Sequence, residues 1–249
     1  MSGHSKWHSI KHKKGAADAK RGKVFTAHAK LIALAAQQGG DPDMNPALRS
    51  AIDRAKMDNL PNANIERSIK KGTGELKDGS VILELTYEGY APGGTAIYVQ
   101  VVTDNKNRAV SNVRSIFTKH GGNLGENGCV AWMFKKKGMI VLDIAGMEME
   151  EVEMAVIESG ADDMEADGTT MTVYTDYKDL MNVKKALEAE EMKVESADIS
   201  FIAQDTVKVE DPATAKKILR LMEALEDDED VTNVSSNFDI SEEVMEALI

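Results

Sequence analysis

The chain has 249 residues, 42% of them hydrophobic and 29% charged, with a formal net charge of -12. That length exceeds one ordinary core and suits two or three domains, and the composition is that of a soluble globular protein. No apolar run reaches the roughly 20 residues of a membrane span, and no apolar stretch follows the basic first residues, so neither an anchor nor a secretory signal is expected. The single cysteine, Cys129, cannot form an internal disulfide and fits a reducing, cytoplasmic setting. It lies in an apolar run and reads as a small buried hydrophobe, not a nucleophile.

Charge is distributed unevenly. Residues 1–77 hold 15 Lys/Arg against 7 Asp/Glu, a net of +8. Residues 78–139 are nearly balanced at +2, and residues 140–249 hold 8 against 30, a net of -22. The first thirty residues oppose the background most strongly, with eight Lys/Arg against Asp18 alone. A local basic run on an acidic chain is an address for a polyanion. Lys6, Lys11, Lys13, Lys14, Lys20, Arg21 and Lys23 are candidate phosphate contacts, with His8 and His12 beside them and Trp7 available to stack on a base. His4, His8 and His12 are spaced four apart, as a metal site on a helix would be. Flanking lysines repel a cation, however, and Gly3, Ser5 and Ser9 weaken the helix, so no metal is expected.

After this tail, Ala16 to Gln38 is predicted as a helix with Phe25, Ala29, Ile32 and Ala36 in one stripe. Lys20, Lys23 and Lys30 lie mostly off the stripe and are free to face a ligand. Gly39-Gly40-Asp41-Pro42 stops this helix, and Asn45-Pro46 caps a second running to about Asp58. A short third helix ends at Gly72. The outer surface of this helical unit carries Arg49, Arg54, Lys56, Arg67, Lys70 and Lys71, of which Arg49, Arg54, Arg67 and Lys71 are further candidate contacts. Gly72 to Gly79 reads as a hinge.

The period then changes. Val81–Leu85 and Ala96–Val102 read as strands, with Tyr87–Gly94 between them as a turn-forming loop bearing two exposed tyrosines. Lys106–His120 reads as a helix ended by Gly121-Gly122-Asn123, and Val130–Phe134 as a strand. From Gly138 the order is βαββαβ, the ferredoxin-like pattern. A last unit, strand 206–209, helix from Asp211-Pro212, strand 231–235, is placed to complete the sheet begun at Val81. The expected fold is therefore α+β in three domains: a basic helical domain (1–78), an α/β domain from two segments (79–136 and 204–249), and an inserted acidic ferredoxin-like domain (137–203).

Enzyme machinery is not expected. No Walker loop, dinucleotide fingerprint, nucleophile elbow or kinase set is present, and Gly121–Gly125 follows a helix instead of a strand. No cofactor and no small-molecule substrate are implied.

Several stretches match a known family. Gly3-His4-Ser5-Lys6-Trp7, Ile10-Lys11-His12-Lys13, Asp18–Phe25, Gly39–Pro42, Asn45–Arg49, Asn59-Leu60-Pro61, Tyr87–Gly94 and Gly121–Gly125 occur in order over the whole chain. The chain resembles the YebC/PmpR family, which includes the translational activator of mitochondrial cytochrome c oxidase subunit I. The resemblance implies three domains and a non-enzymatic role in gene expression. Members are commonly described as DNA-binding transcriptional regulators, and some as translation factors on the ribosome, including at proline-rich nascent chains. Ala27, His28 and Leu31 depart from the family's more charged pattern after Phe25. The expected partner is thus nucleic acid, either DNA or ribosomal RNA. An alternative of another class is an acidic module that binds a basic protein through the -22 region.

Overall fold

The structure is a computed structural model, and it describes residues 18–76, 81–241 and 244. Helices α1 (Asp18–Ala36), α2 (Pro46–Met57) and α3 (Asn62–Gly72) come first. Strands β1 (Leu83–Tyr90) and β2 (Ala96–Thr103), helix α4 (Lys106–Lys119) and strand β3 (Asn123–Leu124) follow. Then come β4 (Phe134–Asp143), α5 (Met149–Glu158), β5 (Asp163–Asp167), β6 (Thr170–Asp176), α6 (Leu180–Ala189) and β7 (Lys193–Ala203). Finally β8 (Val207–Val209), α7 (Pro212–Glu226), β9 (Val231–Ser236) and β10 (Phe238–Ile240) complete the order.

The three helices share one core, in which Ile32 and Ala36 of α1 meet Leu48, Ile52, Ala55, Leu60 and Ile65, with Phe25 and Ile69 against them. Asn45 fixes the α1–α2 corner. Its side-chain oxygen accepts the Leu48 N–H at 3.1 Å as the N-cap, and its amide donates to the carbonyls of Ala35 and Gly39 at 2.9 and 2.8 Å. Of the stretch read as a hinge, residues 77–79 lie outside the described residues, and Gly72 is instead a packing position on α3. A methyl group there would collide with the Ala33 carbonyl and lie 2.7 Å from Ala36 Cβ.

Four antiparallel strands form the central sheet in the order β3-β1-β2-β9. Successive side chains of a strand point to opposite faces, and β2 uses both. Ile97, Val99 and Val101 enter the core beneath α4 and α7, with Val113, Phe117, Ile218 and Met222. On the other face, Ala96 and Tyr98 pack on Val130 and Phe134, and the Tyr98 ring lies 4.8 Å from that of Phe201. Further along that face, Val102 packs with Ile82 and Ala33 of α1. One strand therefore seats all three parts of the molecule. The last unit does complete the sheet, as β9 pairs with β2 from Ile97↔Ser236 to Val101↔Val231. β8 does not join it and pairs instead with β10, in parallel.

The second sheet, β5-β6-β4-β7, is antiparallel throughout. With α5 and α6 it gives the ferredoxin-like order foreseen from the sequence. Its core joins Ile140, Leu142, Met171 and Val173 to Val152, Val156, Val183 and Leu187.

Two local expectations are corrected. Tyr87–Tyr90 is strand, not loop: β1 runs through it, Tyr87 is buried, and Tyr90 is half-buried with its hydroxyl donating to the Cys129 carbonyl at 3.1 Å. The turn falls later, where Gly93 and Gly94 take φ of 81° and 77°. Gly89 sits in β1 because a Cβ would lie 2.5 Å from the Asn123 carbonyl and 2.8 Å from the Phe117 ring. Residues 131–133 are a 3-10 turn, not a strand. The buried Glu88 carboxylate accepts the N–H groups of Gly128, Val130 and Ala131 at 2.7, 2.8 and 2.7 Å. These donors converge on one side chain and cannot serve a neighbouring strand.

Replacing Gly72 by Ala tests the α1–α3 contact. Helix propensity alone favours Ala by about 1 kcal/mol, whereas overpacking costs about 1–3 kcal/mol. A net loss of stability is expected in urea unfolding, and a gain would contradict the close approach. We further propose that residues 134–203 fold as a unit. That fragment should give a cooperative thermal transition by circular dichroism, and a featureless melt would refute it.

Candidate nucleic-acid interface

The expected contacts fall into three groups. Lys6, Trp7, His8, Lys11, His12, Lys13 and Lys14 lie outside the described residues. Lys20 and Arg21 lie on the first turn of α1. The remaining candidates are placed with their partners, and most of those partners are acids of this same chain.

Lys23 donates to the Glu226 carbonyl and lies 3.4 Å from Asp227. Lys30 donates to the Glu229 carbonyl at 2.6 Å and pairs with Asp230 at 2.7 Å. Neither lysine faces a ligand as the helical stripe suggested, since both are drawn to the segment between α7 and β9. Arg54 pairs with Asp198 of β7 at 2.5 Å and donates to the Ala197 carbonyl at 3.0 Å. Lys71 lies 3.5 Å from Asp104. Arg49 pairs within its own helical unit, with Asp43 at 2.8 Å. Arg67 is exposed on α3, as are Lys56 on α2 and Lys70 on α3. His28, at a departure from the family pattern, bonds to Asp58 at 2.5 Å.

Asp230 is the centre of this charge network. Its side chain is only 3% exposed. Arg108 approaches it through both Nε and Nη2, at 3.1 and 2.9 Å, while Lys30 reaches it from α1. Burial on its own would raise the carboxyl pKa, but the hydrogen bonds from Arg108 and Lys30 outweigh it and hold it below the ordinary value. The Arg108 guanidinium is raised in turn, chiefly by its bond to Asp230. Asp104 extends the chain of charges from Arg108 to Lys71 on α3. Apart from Asp104 and Arg108, which are four residues apart, no signal in the sequence marks these pairs, because the partners lie far apart along the chain.

The glycine-rich motifs support the scaffold. Gly125 donates its N–H to the Glu88 carbonyl at 2.8 Å, and a Cβ on Gly125 would meet Cys129 Sγ at 2.6 Å. Burial, assisted by the Glu88 charge, pushes the Cys129 thiol up, so it stays protonated. An open cleft of about 450 Å³ between α2 and α3 mixes Arg49 and Lys56 with Asp43, Asp53 and Glu66. That balance offers no phosphate cradle. Among the described residues no group of three or more His, Cys, Asp or Glu could hold a metal ion. Nor is any described helix long and apolar enough to cross a membrane.

A basic helical unit tied by ion pairs to a central sheet, beside a ferredoxin-like unit, defines a three-part α+β architecture. The comparisons assign that architecture to a family. Residues 5–75 match the TACO1/YebC protein N-terminal domain, and residues 82–238 match the TACO1/YebC second and third domain. The chain therefore belongs to the TACO1/YebC family, as its motifs suggested. A "Probable transcriptional regulatory protein" of Citrifermentans bemidjiense is 55% identical over 250 residues, covering 100% of both chains. A protein of the same name from Halothermothrix orenii is 49% identical over 251 residues, covering 100% of this chain and 99% of the relative. The crystal structure of a conserved hypothetical protein from Aquifex aeolicus superposes with a TM-score of 0.84 at 45% identity, covering 90% of this chain and 93% of that one.

The Asp230 clasp gives a pH dependence with a definite sign. A depressed folded pKa contributes stability that is present above the unfolded value of about 3.9 and lost as pH falls through the folded value. Asp230→Ala should cost about 2 kcal/mol near neutral pH. That is less than the 3–5 kcal/mol of a fully buried pair, because Arg108 is half exposed. The variant should also lose part of the wild-type acid sensitivity. Urea titrations at neutral and acid pH check both, and an unchanged neutral midpoint would remove Asp230 from its central place.

Proposed function

We propose that this chain is a non-enzymatic regulator of gene expression that acts by binding nucleic acid through its basic N-terminal stretch. The observation that carries this reading is the charge of that stretch, eight Lys/Arg against Asp18 alone over thirty residues of a chain at -12. Four of the lysines, Lys6, Lys11, Lys13 and Lys14, precede the helical core, whereas Lys23, Arg54 and Lys71 are engaged by acids of the same chain. Family membership and the regulatory names of the relatives support the same reading. Those names favour DNA as target. The second reading is ribosomal RNA, favoured by the tail's mixture of Ser, His and Lys around one tryptophan, which suits irregular or single-stranded nucleic acid.

Each phosphate neutralised on a single strand contributes about -0.7 to the slope of log K against log salt. Four engaged tail cations would give a slope near roughly -3. Replacing Lys11, Lys13 and Lys14 with Ala should flatten the slope by about 2 and weaken binding to all sequences alike. Trp7→Ala should cost about 1–3 kcal/mol with no change in slope, because stacking releases no counterions. Fluorescence polarisation against labelled DNA duplex and ribosomal RNA hairpins reads these effects and ranks the two targets. Unchanged affinity and slope in the triple variant would make the tail a bystander and favour the acidic interaction module.

A further inference from the structure

The central domain carries a second basic surface that no motif marks. Helix α4 contains no acid, and helix α7 has none before Glu223. Six cations, Lys106, Arg114 and Lys119 on α4 and Lys216, Lys217 and Arg220 on α7, are exposed. Among the described residues none of the six has an ion pair, in contrast to the helical unit, where Lys23, Lys30, Arg54 and Lys71 are paired. The two helices lie side by side on one face of the central sheet. Asn112 donates to Asp228, just beyond the end of α7, at 3.1 Å, and a Cβ on Gly122, just beyond α4, would meet Leu221 at 3.2 Å. They therefore run antiparallel on the sheet face away from the side where Tyr98 and Val102 seat the other two units. On α7 the three cations fall opposite the buried Ala215, Ile218 and Met222, whereas on α4 Arg114 and Lys119 fall on the two flanks of the Ala109, Val113 and Phe117 stripe and Lys106 is the first residue of the helix.

Several acids near this face are already engaged, although Glu223, three residues after Arg220, is exposed on α7 itself. Asp227 is with Lys23, Asp228 with Asn112, and Asp230 with Lys30 and Arg108. Asp211, whose charge Lys217 feels at longer range, spends its oxygens on capping α7 through Ala213 and Thr214. The ion pairs that dock the helical unit thus engage Asp227 and Asp230, two of the acids next to the α4–α7 face.

We infer that the outer face of α4 and α7 is a second contact surface for the phosphate backbone of nucleic acid, held rigidly by the central sheet and separate from the N-terminal stretch. The inference rests on the reading of the chain as nucleic-acid-binding. Positive charge on two packed helices suits a regularly spaced line of phosphates, and the face carries no aromatic residue for base stacking, so backbone contact without base preference is the chemistry it supports.

The test uses the full-length chain, a short labelled DNA duplex, its RNA counterpart, and polyglutamate as competitor. The variants are Lys216→Ala/Lys217→Ala/Arg220→Ala on α7, Lys106→Ala/Arg114→Ala/Lys119→Ala on α4, the N-terminal triple lysine variant, and Lys184→Ala/Lys185→Ala on α6 as control. Each helix variant should lose about tenfold or more in affinity and flatten the salt slope by up to about 2.7, for three phosphates at about 0.9 each. The control should match wild type. Wild-type binding in both helix variants, with loss in the N-terminal variant, would overturn this inference and leave the proposed function standing. No binding by the wild-type chain would overturn both. Polyglutamate that competes as well as nucleic acid at equal charge would mark the face as a dock for acidic proteins and would also overturn it.

Discussion

A buried carboxylate must find positive charge, and in this chain Asp230 finds it in two places at once. Arg108 belongs to the central domain and Lys30 to the helical unit, so satisfying one side chain fixes the position of one unit on another. The surrounding backbone joins in, as the Asp230 carbonyl accepts the Val102 N–H at 2.8 Å, next to the point where Val102 meets Ala33. Electrostatics and apolar burial therefore converge on one end of β2. At the other end Tyr98 meets Phe134 and Phe201 through ring contacts, and there the ferredoxin-like unit is seated. The difference in chemistry matters for response to conditions, because the charged seat depends on pH and its exposed members on salt, while the aromatic seat depends on neither.

The opposed charges of the two ends of the chain acquire a structural meaning in this arrangement. Part of the positive excess of residues 1–77 is spent on acids more than a hundred residues away, at Asp198, Asp227 and Asp230. A Lys/Arg count read as a binding surface thus overstates what the helical unit offers. Among the described residues, what is left is a few exposed positions such as Lys56, Arg67 and Lys70 and the exposed cations of α4 and α7.

Much of the fold was legible because its signals are local. Apolar spacing located α1 to α3, Asn45-Pro46 and Asp211-Pro212 announced two helix starts, and alternation with turn residues gave the βαββαβ order. The failures have a common cause in distant partners. Tyr87–Tyr90 looked like a loop because its glycine and tyrosines suit turns, and only the Phe117 ring and Asn123 carbonyl against Gly89 explain a strand there. Residues 130–134 looked like a strand because they are apolar, and Glu88, about forty residues earlier, takes their donors. The site was less legible still, since a lysine facing solvent and a lysine facing Asp230 are the same letter in a sequence.

The cations of this molecule divide into those committed to its own acids, such as Lys23, Lys30 and Arg54, and those proposed to meet nucleic acid. Photo-crosslinking of the full-length chain to iodouridine-containing RNA and bromodeoxyuridine-containing DNA, with adducts mapped by peptide mass spectrometry, reads that division directly. Adducts are expected in the N-terminal peptides that include Trp7 and in peptides of α4 and α7, with none at Lys23, Lys30 or Arg54. Adducts concentrated at Lys23, Lys30 and Arg54, or on the acidic helices α5 and α6, would contradict it.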